Sequence, residues 1–511
     1  MHFQADMLIL GSGFGGSLLG MILAKSGWHV VIADTARHPR FAIGESSTPL
    51  ADAALAKIAT TYDLPELVPL TRYGSWKRIH PELTCGLKRG FSYFGHSPGR
   101  DLTPHTIAGQ QLLVSASAGD DVSDTHWLRS DVDAFFAVNA RQHGVVLYEG
   151  AEYTLHRTSA GWTMEGTTQD GPFQLSCPFV VDATGAAGVV LRTLSIADLS
   201  HQLLTSSRSV FAHFSDVRRV GALLAESGID RSRHPFPCDA AAVHHVLDNG
   251  WMWQLPFDDD TVSAGFMFHR QNADIEHGFF PVEPGTPGSS AAAGTPLSVW
   301  DAQLQRFPFL RRQFENATVV RPREGLVMTG RLQRLAARAA GPNWAALPFT
   351  AGFIDPLHST GIAHTLFGVR RLADILLTTS IKDIREQRLA EYSADLIREI
   401  RHIDRLVEGC YAGLPSFRLW CAWTMLYFAA VTSMEHSSKS KHGSFLMADD
   451  VEFRKLLISA RRRLQNCVST GASNADCGQF EAWLREAIAP WNSVGLLDPD
   501  SSGMYAGTAA R

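Results

Sequence analysis

A chain of 511 residues is long for one compact domain, so two or more lobes with sizeable cores are expected. Its 45% hydrophobic and 19% charged content is ordinary for a globular enzyme, and a formal net charge of −5 leaves neither a basic footprint for nucleic acid nor a charged interaction tail. No uninterrupted apolar run is long enough to cross a bilayer, and the first strand begins too early to leave room for a secretory leader, so no membrane partner and a cytoplasmic location are expected. Seven cysteines, at 85, 177, 238, 410, 421, 467 and 477, form no CxxC pair; they read as small buried hydrophobes in a reduced compartment, with no metal site.

Ala5-Asp-Met-Leu-Ile-Leu10 predicts a strand, and Gly11-Ser-Gly13-Phe14-Gly15-Gly16 turns directly into an apolar helix ending near Ser26-Gly27. The next strand, His29 to Ala33, ends at Asp34. In a βαβ unit the first glycine permits a tight turn, the second lets a pyrophosphate approach the backbone, and the third lets helix and strand pack closely, while the acidic residue accepts ribose hydroxyls. The helix N-terminus then holds the phosphates. This predicts an α/β, Rossmann-like nucleotide site without separating FAD from NAD.

Gly44-Glu45-Ser46-Ser-Thr-Pro49 reads as a polar loop entering a helix through Ile58, and Thr125 to His143 as a further helix with Arg129 and Asp133 near its start. Pro178 to Gly185, which includes Asp182, predicts a second buried strand closed by a glycine. Two such crossings, far apart in sequence, fit a nucleotide-binding sheet interrupted by an inserted substrate lobe. Short β-like runs recur from Val210 to Phe268, and Pro281 to Pro296 has the composition of an exposed linker. The chain returns to the cofactor region near Trp344 and is mostly helical in pattern beyond about Ile362, with Ser437 to Gly443 and the tail after Pro499 loose. The expected division is a cofactor-binding core over 1–200 with lobe segments near 70–125, the lobe sheet and linker over 201–335, a return to the core over 336–380, and a helical region over 381–511.

Within the lobe, Trp251-Met-Trp253-Gln-Leu-Pro256 places two large aromatics on the same face of a strand as a rigid apolar wall. Core packing and a wall beside cofactor or substrate both account for it. Taken with Gly11, Gly13 and Gly16, with Gly44-Glu45, and with Phe353-x-x-Pro356-x-x-Ser359-x-Gly361, it resembles the ordered signatures of the flavin-dependent halogenases over most of the first 370 residues. Cys85-Gly-Leu-Lys88-x-Gly90-Phe91, His244-His245 and Gly352 to Leu357 resemble most the phenol-type members such as phloroglucinol halogenase.

That resemblance implies a monooxygenase-like α/β fold: an FAD-binding Rossmann-like domain, an inserted mixed-sheet substrate lobe and a helical C-terminal region. It implies that reduced FAD, supplied by a separate flavin reductase, reacts with O2 to a hydroperoxide that chloride or bromide attacks. The resulting hypohalous acid reaches a lysine beside a small electron-rich aromatic, a phenol ahead of a pyrrole or indole. By the family pattern the lysine is Lys88, acting as a hydrogen-bond donor or as a haloamine, where a solvated surface lysine is the alternative and the nearby cations Lys77, Arg78 and Arg89 carry no such role; Trp251 and Trp253 wall the flavin off from the substrate. FAD falls to Gly11, Gly13, Phe14, Gly15, Gly16, Asp34, Gly44, Ser46, Arg129, Asp182, Gly185 and Pro356, where Arg129 either meets phosphate or fixes the nearby helix. Glu45 stands near the flavin, or is an exposed loop carboxylate. The halide falls to the backbone amides of Thr360 and Gly361 beside Ser359, a turn that also reads as the capped start of a helix.

Three positions depart from the pattern. Leu255 replaces isoleucine, which conserves volume. His358 stands where tryptophan halogenases carry a glutamate, which argues against tryptophan as substrate and leaves His358 as a proton-handling group or a polar loop residue. Gly341-Pro342-Asn343 stands where related flavoproteins show Gly-Asp, so Asn343 substitutes or FAD is held less tightly. The rival readings are a flavin-dependent aromatic hydroxylase or reductase on the same fold, with Lys88 incidental, and a non-catalytic flavin-binding protein.

Overall fold

The computed structural model describes residues 2–169, 171–269, 294–436 and 443–508. Five parallel strands, in the order Trp344–Ala346, Val180–Asp182, Met7–Leu10, Val30–Asp34 and Val146–Glu149, form a nucleotide-binding sheet with Ala340–Gly341 antiparallel at one edge. The three central strands are buried along their whole length, as parallel strands covered on both faces must be. Helix Phe14–Lys25 packs on this sheet, and Gly16 makes the packing possible: a Cβ there would lie 2.1 Å from the Gly11 carbonyl oxygen. A separate four-stranded sheet, Glu152–Arg157, Trp162–Thr168 and Gly171–Cys177 with His2–Gln4 at its edge, was not foreseen from the sequence.

The register of this sheet excludes one of the two alternatives open for Asn343. Asn343 sits between Ala340–Gly341 and Trp344–Ala346, at the start of a parallel strand and hence at the opposite end of the sheet from Gly11. Its carbonyl accepts from Trp162 Nε1 at 2.9 Å and from Val180 N at 3.1 Å. It therefore cannot reach a dinucleotide held at the glycine edge, where this strand leaves instead through Leu347-Pro348.

The second large sheet is mixed. Strands Ser207–Ser215, Val262–His269, Gly250–Pro256 and Ala242–Leu247 run antiparallel in that spatial order, and Gly90–Gly95 then joins parallel to Ala242–Leu247. Gln111–Ser115 follows, so residues near 90–115 enter the lobe ahead of its main body. The tail expected to be loose instead contributes Met504–Tyr505, parallel to Gln111–Ser115. The linker expected over Pro281–Pro296 falls almost wholly outside the described residues, as does most of Ser437–Gly443. Thr125–His143 splits into strand Asp124–Trp127 and helix Arg129–Gln142.

Side chains alternate across this sheet with period two. Phe91, Tyr93, Trp251 and Trp253 belong to the core shared with the C-terminal helices, whereas Phe94, Val243, Met252 and Phe266 belong to a second core. Helices Pro296–Arg306 and Pro308–Phe314 pack into that second core. Helices Lys382–Ala412 and Phe417–His436 roof the first face, bringing Phe428 to 5.6 Å from the Phe91 ring and Trp420 to 5.0 Å from that of Tyr93. Among the described residues no helix is long and apolar enough to cross a membrane.

The roof is tied to the core at Glu399, which has no exposed surface. Its carboxylate accepts from both terminal nitrogens of Arg371 (2.9 and 2.7 Å), from Ser444 Oγ (2.9 Å) and from Phe445 N (2.7 Å), and His364 Nε2 lies 3.0 Å away. Burial opposes its ionisation, but Arg371 and His364 more than offset this and hold the carboxyl well below its ordinary value. Arg371→Met strands that buried charge and is expected to destabilise the fold by about 3–5 kcal/mol in chemical denaturation. Because the folded carboxyl is depressed, the wild-type stabilisation is fully present above the ordinary carboxylate range and is lost progressively as pH falls from there through the lower folded value.

Candidate functional site

At the glycine edge, Gly11 adopts a φ of +98°, and a Cβ would meet the Ala183 carbonyl oxygen at 2.5 Å. Gly13 differs: a Cβ there would find only side-chain ends, of Arg40, Asp133 and Arg129, at 3.7–3.9 Å. Helix Phe14–Lys25 begins here with no side-chain cap and no acidic residue in its first turn, although Phe14 N donates to Asp133 at 3.2 Å. An open backbone approach at a helix N-terminus fits a pyrophosphate. Gly15 instead faces Thr365, whose methyl would lie 2.7 Å from a Cβ. Asp34 ends its strand as expected and accepts from Ser12 N (2.8 Å) and Ser12 Oγ (2.7 Å). Burial raises its carboxyl, but these bonds win and hold it below the ordinary value.

Other predicted cofactor residues are occupied by local structure. Arg129 pairs with Asp133 through Nε and Nη2, both at 3.0 Å, and its Nη1 donates to the carbonyls of Ile43 and Gly44, pinning the Gly44 loop to the helix start. Asp182 accepts from Thr184 Oγ1 (2.6 Å) and from the amides of Thr184, Val190 and Leu191, so its side chain shapes the turn after its strand and is not free for a ligand. Gly185, at φ +59°, faces the half-exposed Phe349 ring. Glu45 is no exposed loop carboxylate: it is buried, with Oε1 2.9 Å from His213 Nε2. Ser46 lies beside it in a bridge with buried His126.

Lys88 is 0% exposed, on strand Cys85–Lys88 opposite Asp124. Its Nζ donates to the Ser47 carbonyl and lies 4.2 Å from the centre of the Phe91 ring. Burial pushes the amine down to about 8, against the pull of Asp124, Asp52 and Glu435. The neighbouring cations are engaged elsewhere, Lys77 with Asp258, Arg78 with Asp121 and the largely buried Arg89 with Asp120. Around Lys88 and Phe91 stand Tyr93, His244, Tyr427 and Phe428, a packed aromatic cluster. His244 continues it to Trp251, ring centres 5.2 Å apart, and Trp251 lies 6.0 Å from Trp253. His358 stacks on Tyr427 at 4.4 Å and 7°, and burial pushes both His244 and His358 down to about 3, so both are neutral.

The Phe353–Gly361 segment closes the site. Pro356 accepts from Ser359 N at 2.9 Å, and Ser359 adopts a left-handed φ of +52° as the residue before helix Thr360–Thr378. The expected side-chain cap by Ser359 or Thr360 is absent, and no acidic residue stands in the first turn. A Cβ on Gly361 would meet nothing within 4 Å. A cavity of about 30 Å³, room for one small ion or a water, is lined by Asp355, Thr360, Gly361, His364 and Thr365 together with the apolar residues Phe349, Phe353, Ile354, Ile400 and Ile403. Two larger cavities, of about 610 and 560 Å³, lie elsewhere, on the arginine-rich face of helix Lys382–Ala412 and beside Asn343.

Sequence reasoning missed His213, Asp355, Tyr411, Tyr427 and Phe428. Asp355 lay inside the motif and was passed over. The tyrosines and Phe428 lie in helices whose pattern reports burial but not what the buried face meets.

A family model described as tryptophan halogenase matches residues 125–413. Monodechloroaminopyrrolnitrin halogenase PrnC of Pseudomonas fluorescens is 27% identical over 93% of this chain and 83% of its own length. The tetracycline 7-halogenase of Kitasatospora aureofaciens is 27% identical over 97% and 89%. The crystal structure of halogenase PltM in complex with phloroglucinol and FAD superimposes with a TM-score of 0.82 at 23% identity, covering 98% of this chain and 99% of that one. The chain belongs to the tryptophan halogenase family of flavin-dependent halogenases and is an enzyme of the oxidoreductase class.

Proposed function

We propose that the chain binds FAD at the Gly11–Gly16 turn, accepts it reduced from a separate reductase, and halogenates a small electron-rich aromatic, a phenol, through Lys88. Bound reduced FAD supplies the activation of O2 by which chloride or bromide becomes hypohalous acid. The chain's own residues do the rest. Backbone N–H groups at Thr360 and Gly361, on an uncapped helix start beside a cavity of single-ion size, hold the halide. Trp251 and Trp253 wall the cofactor side off from the aromatic cluster. Lys88 donates a hydrogen bond to hypohalous acid beside the ring to be substituted.

The observation that carries this reading is the fully buried Lys88 amine set over Phe91 in a cluster of aromatic rings and neutral histidines. Burying an ammonium group in such surroundings is unfavourable, and a fold retains one where it has chemistry to do. A phenol suits the cluster because its ring is nucleophilic without a strong enzymic base, and the halogenase solved with phloroglucinol bound shares the fold. Mass spectrometry of phenol, pyrrole and indole panels tests this, with FAD, a partner reductase, NADH, O2 and chloride or bromide. A halogen isotope pattern on phenols that vanishes in Lys88→Ala is expected. Hydroxylated product independent of halide would assign the chain to hydroxylation instead.

A further inference from the structure

The two tryptophans of the wall are held by different partners. Trp253 Nε1 donates to Ser263 Oγ at 3.2 Å, within its own sheet. Trp251 Nε1 donates to the Tyr411 hydroxyl at 3.1 Å, in the last turn of helix Lys382–Ala412, and Tyr411 donates to Asp355 Oδ2 at 2.7 Å. Ser207 Oγ donates to the same oxygen at 3.0 Å, and Leu357 N to the other at 3.1 Å. Gln333 closes the network, its Nε2 donating to Ser207 Oγ at 2.7 Å and to the Ile354 carbonyl at 2.8 Å while its Oε1 accepts from Ser207 N at 2.9 Å. Trp251, Tyr411, Asp355, Ser207 and Gln333 are all 3% exposed or less.

Five segments distant in sequence meet here: strands Ser207–Ser215 and Gly250–Pro256, the Gln333 loop, the Asp355–Leu357 turn and the roof helix. A buried polar network with its hydrogen bonds made admits few other arrangements, because any shift leaves a donor or acceptor without a partner in a low-dielectric interior. The turn that contains Asp355 runs within a few residues into the proposed halide amides. The indole at the far end of the chain of bonds is half of the wall. Among the described residues no equivalent bridge leaves Trp253.

Resting on the halogenase reading, we propose that Tyr411 and Asp355 are positioning residues. Their bridge locks the Trp251 indole to the segment that carries Thr360 and Gly361, so that wall and halide turn keep one spacing and oxidant made at the turn passes to Lys88 rather than to solvent.

Tyr411→Phe tests this because it removes the hydroxyl while keeping the ring and its 4.7 Å stacking on His269. Halogenated product per reduced FAD oxidised is expected to fall about tenfold, and halogenation of a freely diffusing 1,3-diketone trap to rise in step, as for loss of one buried hydrogen-bond junction. In the protein alone, amide hydrogen exchange over Leu357–Gly361 is expected to quicken about tenfold or more. Ser207→Ala, which removes another donor to Asp355, should move all three readouts in the same direction and stands in if Tyr411→Phe does not fold. Unchanged coupling together with unchanged exchange overturns the proposal, as does a fall in overall rate at a constant product-to-flavin ratio. Absence of halogenated product from the wild type would instead overturn the halogenase reading, and the exchange measurement would still decide whether the bridge holds the turn.

Discussion

Lys88→Met is expected to give a protein that resists denaturation better than the wild type and makes no halogenated product. The amine lies in a site that pushes it from an ordinary lysine value of 10.5 down to about 8. At about 1.4 kcal/mol per pKa unit, holding it there is unfavourable by on the order of 3 kcal/mol at neutral pH. Methionine has a similar unbranched shape, needs no hydrogen bond and suits the surrounding rings. The midpoint of urea unfolding should therefore rise, while product formation falls by about a thousandfold or more and oxidation of reduced FAD continues, since nothing at Lys88 is needed for that step. A lower midpoint would mean that the bond from Lys88 to the Ser47 carbonyl is structural, and residual halogenation near wild-type rates would remove Lys88 from the mechanism.

The pH dependence separates the two roles open to the amine. Between about 8 and 10.5 the folded protein binds fewer protons at this residue than the unfolded chain does, so wild-type stability should rise with pH across that window, and Lys88→Met should lack the slope. Catalysis runs the other way if the ammonium form is the donor. The contacts to the Ser47 carbonyl and the Phe91 ring face, with Asp124, Asp52 and Glu435 nearby, favour the cation. Halogenation is therefore expected to decline as pH rises through about 8. A rise over the same range would make the free amine, and so a haloamine, the reacting form.

The nucleotide fold was legible because its signals are local. Gly11, Gly13 and Gly16 stand in a fixed spacing between a strand and a helix, and Asp34 ends the next strand, so backbone sterics alone dictate the turn. The Trp251/Trp253 face was equally legible from the alternation of a strand. Asn343 stayed open between standing in for the aspartate and leaving FAD less tightly held because spacing between glycines does not tell which end of a strand a residue occupies, and the antiparallel pairing of Ala340–Gly341 decides that. Glu45 was open between loop and site because its partner, His213, lies far along the chain on strand Ser207–Ser215. The bond from Tyr411 to Asp355 spans 56 residues and two elements, and no periodicity reports such a meeting.

Gly13→Ala and Gly16→Ala should separate ligand binding from packing within one turn. At Gly13 the backbone is extended, at φ −60° and ψ 166°, and a Cβ touches only side-chain ends no nearer than 3.7 Å, so the protein alone should keep its stability within about 0.5 kcal/mol. If the FAD pyrophosphate closes on this turn, the same methyl group stands in its path, and the FAD dissociation constant should rise by about 10- to 100-fold in a fluorescence titration. At Gly16 a Cβ would lie 2.1 Å from the Gly11 carbonyl oxygen and 3.1 Å from the Ala183 Cβ, and neither is the far end of a flexible side chain. The helix must move off the sheet, which costs about 1–3 kcal/mol and exceeds the roughly 1 kcal/mol that alanine adds to helix propensity. Gly16→Ala should therefore lose stability before any ligand is added and bind FAD weakly as a consequence. Were Gly13→Ala to bind FAD as tightly as the wild type, the pyrophosphate would have to lie away from this helix start, and the cofactor placement on which the halide turn and the Trp251 wall depend would have to be redrawn.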